Sequence, residues 1–229
     1  MDKIEKVRSI SLWVFIIPFI ALNACLILVT KFHGLFPNQE HIIHNTIPYI
    51  DGQVSISRTA RVFPTYLIFK PAMFLTSYLL IKYWLYTKEI ILFFNKKHKN
   101  IKYIMFFGIG SAILLTLHSI FLGIKFDNDL YKLFRRVVML AFIIFEVVAQ
   151  AYLVITYYSF KNDLLKFINK NFLKMKLILV STLIIVALIS IPIVTMPGNT
   201  LIKHALEWDY FIGVISFYLL TFFMWKNKN

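Results

Sequence analysis

The side chains with which this chain could do chemistry begin in one polar stretch, residues 44–64, which holds His44, Asp51, Arg58 and Arg61. Lys70, His118, Asp127, Arg135, Arg136, Glu146, Gln150 and Glu207 follow at wide spacing. Histidine near carboxylates suits general acid–base work on an acyl or ester group. Arginines suit a bidentate grip on phosphate. His41 and His44 are three apart, so on a helical turn they would share a face as zinc ligands can. With His118, His204 and Asp127 they would then make an external metal site; the plainer expectation is a solvated loop pair, with no metal and no cofactor. No H-E-x-x-H, G-x-S-x-G, P-loop or dinucleotide fingerprint occurs, and Ser55 and Ser57 read as loop residues. With Cys25 as the only cysteine, a disulfide within the chain is excluded.

Membrane helices must position these groups. Of the 229 residues, 59% are hydrophobic and mean hydropathy is +0.71, above the roughly 45–50% apolar content usual in soluble domains. Apolar runs of span length recur along the chain, at about 9–30, 63–86, 101–124, 133–160, 177–196 and 206–225. The expected fold is an all-α, six-helix transmembrane bundle forming a single integral-membrane domain, with a long first extracytoplasmic loop. Gly108, Gly110 and Ser111 are small enough for close helix approach. Residues 164–172 suggest a short amphipathic piece lying on the headgroups.

The net charge of +14 would suggest nucleic acid in a soluble protein; here the basic residues punctuate spans, and no nucleic-acid partner is expected. The N-terminal tail, the second and fourth links and the C-terminal tail hold 15 Lys and Arg, counting the bordering Lys102. The other three links hold 8, counting Arg135 and Arg136. The positive-inside bias then puts both termini in the cytoplasm, and the wealth of Lys, Ile and Asn suggests a bacterial inner membrane.

That topology places most of the ionisable groups in the outer half of the bundle. Lys70 and Glu146 are expected to be near neighbours, with Gln150, one turn from Glu146, sharing their network. The alternatives are Lys70 snorkelling to the outer headgroups and Glu146 acting as a neutral acid that joins helices by hydrogen bonds. Arg135 and Arg136 read as interface anchors or as a clamp on a lipid phosphate. The polar stretch is expected to close over a headgroup-sized pocket above Lys70, His118 and Glu146.

Two segments carry a resemblance. Pro48-Tyr49-Ile50-Asp51, continuing through Arg58, Phe63-Pro64, Phe69 and Leu75, resembles the "P-Y-I-S" loop of the DRAM/Sfk family. Its relatives include damage-regulated autophagy modulators, GPI-anchor remodelling factors and a CWH-type N-terminal domain. Residues 205–211 with Phe217, Tyr218, Leu220, Thr221 and Phe222 resemble that family's closing helix. Asp51 stands where the family usually has serine, and Arg135 or Arg136 where a histidine is usual. The resemblance implies the six-span fold and a lipid-related setting, and carries no catalytic set.

The first expectation is therefore a membrane protein binding lipid headgroups, or a membrane-protein partner, at its outer face. A lipid-modifying acyl transferase or hydrolase using His44, Asp51, His118 or Glu207, and a small transporter using Lys70, Glu146 and Gln150, are the alternatives.

Overall fold

The computed structural model describes residues 2–38, 41–44, 46–96, 98–124 and 128–226. The long helices are α1 (Asp2–Lys31), α4 (Tyr66–Phe94), α5 (Ile101–Phe121), α6 (Asp129–Ser159), α8 (Lys170–Thr195) and α9 (Thr200–Met224). Short helical turns α2 (Pro48–Asp51), α3 (Ile56–Ala60) and α7 (Lys161–Leu164) lie in the links. Among the described residues five helices, α1, α5, α6, α8 and α9, are long and apolar enough to cross a membrane, so this is a multi-pass integral membrane protein. Helix α4 matches them in length but carries Lys70, Lys82, Lys88 and Glu89.

Several helices outrun the apolar runs that predict them, for local reasons. Helix α1 begins at Asp2, with Asp2 and Glu5 in its first turn, where acids complement the helix dipole. Asn128 and Asn169 cap α6 and α8, their side chains accepting from the backbone N–H of Leu130 and Asn171. Helix α4 starts after Pro64 and runs past Tyr86, burying Thr87, Ile90 and Ile91. The stretch expected to lie on the headgroups instead tucks under the bundle: Leu164, Ile168 and Leu173 are buried and Ile168 bridges to Trp225.

The long helices form a ring in chain order: α1 packs on α4, α4 on α5, α5 on α6, α6 on α8, α8 on α9, and α9 closes on α1. Short links favour such antiparallel neighbours. The start of α1 meets the end of α9, where Arg8 donates to the Phe222 carbonyl at 3.2 Å; both termini therefore share one end, called here the terminal end. Tyr83, Trp84, Ala112, Leu153, Tyr157, Phe217 and Tyr218 fill the centre. Small residues set the helix spacing: a Cβ on Gly108 would stand 2.5 Å from the Trp84 indole, and one on Gly110 2.7 Å from the Phe145 ring.

Gly108→Val should therefore overpack the α4–α5 contact and cost about 1–3 kcal/mol, seen as a lower melting temperature in detergent. Gly34→Ala, whose Cβ would meet nothing within 4 Å, should stay within about 0.5 kcal/mol of the parent.

Candidate functional site

The first long link, described over residues 32–38, 41–44 and 46–65, lies on the helix ends opposite the terminal end. Its apolar residues Phe36, Ile43, Val54 and Val62 form a small core with Val29 of α1. Trp208 of α9 donates its indole N–H to the Val54 carbonyl at 2.8 Å, and the Tyr49 ring meets Trp208 edge-on at 5.0 Å. The Tyr49 hydroxyl donates to Asn23 of α1 at 3.1 Å. Gly52 has φ +60, and a Cβ there would lie 1.8 Å from the Leu201 carbonyl oxygen. Only glycine fits this approach.

Two carboxylates considered for acid–base work are spent on that fold. Asp51 accepts from the Thr46 hydroxyl at 2.7 Å and from the backbone N–H of Ile47 at 2.8 Å and Gln53 at 3.0 Å. Its slight burial acts to raise its pKa, but the Gln53, Thr46 and Ile47 donors outweigh this and hold it below 3.8. Glu207 accepts from the backbone N–H of Ser57 and Ile56 at the start of α3. His44 packs edge-on against His33 at 4.6 Å, and His204 bonds the Gly52 carbonyl at 2.9 Å. Among the described residues no three His, Cys, Asp or Glu side chains converge to hold a metal ion. Asp127 lies outside the described residues.

A cationic group gathers where the link enters α4, beside the end of α5 and the start of α6. The Arg61 backbone oxygen lies 3.0 Å from where a Gly123 Cβ would stand, which sets Arg61 against the last turn of α5. Burial, then the neighbouring charges of Arg135 and Arg58, push the Arg61 guanidinium below its usual pKa. Arg135 covers the Tyr131 ring at 5.7 Å and lies within electrostatic reach of His118. Lys70 donates to the Ile120 carbonyl at 3.2 Å, close to the snorkelling alternative. Among the described residues the ion pairs are Lys3–Glu89, Lys6–Asp2 and Lys132–Asp129, so no carboxylate in this set answers Arg61 or Arg135. Arg136, one residue on, is exposed and outside the group.

Glu146 does not pair with Lys70. It is buried, and its partners are Ser111 of α5 at 2.6 Å, Gln150 at 3.0 Å and the Tyr218 hydroxyl of α9. Gln150 also donates to the Val214 carbonyl at 3.2 Å. The Lys70 expectation fails because α4 turns that side chain toward the end of α5, where it finds the Ile120 carbonyl. The buried lysine is another one: Lys176, fully buried in the second turn of α8, donates to Thr221 at 2.7 Å and stands 3.8 Å over the Phe217 ring. Counting Lys176 as part of a basic link hid it. The inward spacing Leu173, Lys176, Val180, Leu183 would have found it, since the other three are buried apolar residues.

The Asp51 staple has a definite pH dependence. A depressed folded-state pKa contributes stability that is present above the unfolded value and lost as pH falls through the folded one. Protection of the Ile47 and Gln53 amides from hydrogen exchange should hold at neutral pH and disappear only below about pH 4. Asp51→Asn should weaken that protection at every pH and flatten the profile.

Compared with family models, curated proteins and solved structures, the chain finds no match.

Proposed function

We propose that the chain is a six-span bundle with both termini in the cytoplasm, and that its outer rim holds the anionic headgroup of a membrane phospholipid on Arg61 and Arg135. The observation that carries this reading is the cluster of like-charged guanidiniums at Arg61, Arg135 and Arg58, with no carboxylate of the described residues on Arg61 or Arg135. Like charges held together are unfavourable unless an anion joins them. Phosphate meets guanidinium in bidentate, charge-assisted hydrogen bonds.

Depth favours a lipid over a soluble anion. Arg61 precedes the start of α4 by five residues, and Arg135 lies six residues into α6, about 9 Å along its axis. That is the level at which helix ends meet headgroups. The six-span count includes α4, which stands in the ring between α1 and α5; the bias of Lys and Arg toward the terminal end supports the orientation. Kinship with DRAM/Sfk-type proteins is part of the same proposal. Its support is that the two segments bearing the resemblance pack together, Tyr49 on Trp208, with Gly52, next to Asp51, against Ala205.

The test is native mass spectrometry of protein taken from bilayers containing an anionic phospholipid. The parent should retain the lipid, and Arg61→Ala with Arg135→Ala should lose it roughly tenfold or more, at about 1.5–3 kcal/mol for each charged hydrogen bond. Arg136→Ala should bind as the parent does. Equal retention by the double variant, or equal loss in Arg136→Ala, would refute the site.

A further inference from the structure

Helix α8 is the least covered of the five apolar spans. Only 17% of its most apolar stretch is buried, against 33–39% in the other four. Its inward row is Leu173, Lys176, Val180 and Leu183, while Ile178, Ile185, Leu188 and Ile189 are exposed. An even apolar face of this kind is ordinary lipid contact, but the side turned to α9 is not even. A groove of about 400 Å³ runs there between the two helices, within the roughly 300–1,000 Å³ of small-molecule sites.

Met175 and Ile178 belong to one wall and Leu219 and Leu220 to the other. Because α8 and α9 are antiparallel, Thr182 and Ser216 come last on both walls and form the deep end. Their small side chains leave open the space that a leucine or isoleucine in the same rows would fill. At the terminal end the Phe172 and Phe223 rings stack across the two helices at 5.6 Å, as aromatic residues do at headgroup level.

Size and depth select what fits. From Met175 to Thr182 the groove is about 10 Å long at helical rise, so its volume leaves a cross-section of about 40 Å². A helix about 10 Å across needs roughly 80 Å², which leaves room for a hydrocarbon chain and too little for another span. Measured from Lys170, where α8 begins, the groove lies about 8–18 Å inward. That is the depth of a single leaflet in a hydrocarbon core about 30 Å thick.

Charge selects the head. Lys170, Lys174, Ile178 and Thr182 are successive members of one i,i+4 row, so the row that enters the groove begins with two lysines. Both are exposed, and neither is in an ion pair among the described residues. Basic side chains at the end of a span attract anionic headgroups.

We infer that the groove between α8 and α9 seats an acyl chain of an anionic phospholipid from the leaflet at the terminal end, with its phosphate on Lys170 and Lys174. The site is at the opposite end of the bundle from Arg61 and Arg135 and does not depend on them.

Native mass spectrometry of the full chain, taken from bilayers of phosphatidylcholine and phosphatidylglycerol, tests this. Arg61→Ala with Arg135→Ala serves as the starting chain, so that failure of the rim reading and failure of this one are distinguishable. The starting chain should carry phospholipid enriched several-fold in phosphatidylglycerol over the bilayer. Ser216→Trp and Thr182→Trp, which fill the deep end, should each remove it; should one not fold, the other carries the arm. Lys170→Ala with Lys174→Ala should keep a lipid and lose the enrichment. Leu188→Trp, at an exposed position elsewhere on α8, should bind as the starting chain does. The inference is overturned if a folded tryptophan variant in the groove retains the lipid, if Leu188→Trp loses it equally, or if the enrichment survives loss of both lysines. A lipid-free dimer that parts on Ser216→Trp overturns it in favour of a second copy of the chain.

Discussion

Hydrocarbon offers no hydrogen bonds, so a polar group inside this ring is driven to find its partners within the protein, on its own helix or on a neighbour. Glu146 shows what that demands. Its carboxyl needs a hydroxyl from α5, an amide one turn along its own helix and a phenol from α9, which draws three helices to one point. Gly108 and Ser111 on α5 make the approach feasible, the glycine by receiving the Trp84 indole and the serine by bonding the acid. Helices α5, α6 and α9, which contribute bonds to this centre, cannot drift outward into lipid without stranding it.

The first long link answers the same constraint at the end of the ring opposite the terminal end. Its backbone turns are satisfied locally by Asp51 and by the Ser55 cap on α3, and its apolar residues find cover on α1 and α9. Trp208 and Gly52 act together, one supplying a hydrogen bond from the helix and the other removing the Cβ that would hold the link away. Once the link is seated, the Arg61 backbone lies against Gly123 at the end of α5, within electrostatic reach of Arg135. Charge crowding at the rim is thus a consequence of how the link is anchored.

The sequence and the structure agree most where the signal is a long average. An apolar run of span length reports a helix whatever its neighbours do, while the caps Asn128 and Asn169, which start α6 and α8 ahead of their apolar runs, went unread. The importance of Asp51 in the first long link was also legible, although its role is to staple a turn. Pairing was much harder to read. Lys70 and Glu146 lie at depths that sequence counting makes comparable, but depth along an axis says nothing about rotation around it, and rotation sends Lys70 to Ile120. Lys176 was misread for the converse reason: a lysine near other lysines looks like part of a solvated link until the helix that contains it is seen to begin six residues earlier.

The sequence by itself therefore determined that this chain crosses a membrane repeatedly as helices, because the bilayer filters composition and length one segment at a time. Only the tertiary structure decided which polar groups meet. Ser111, Glu146 and Tyr218 are separated by 35 and 72 residues, and nothing local specifies their encounter. It depends on the azimuth of each helix in a closed ring, a property of all the helices packed together.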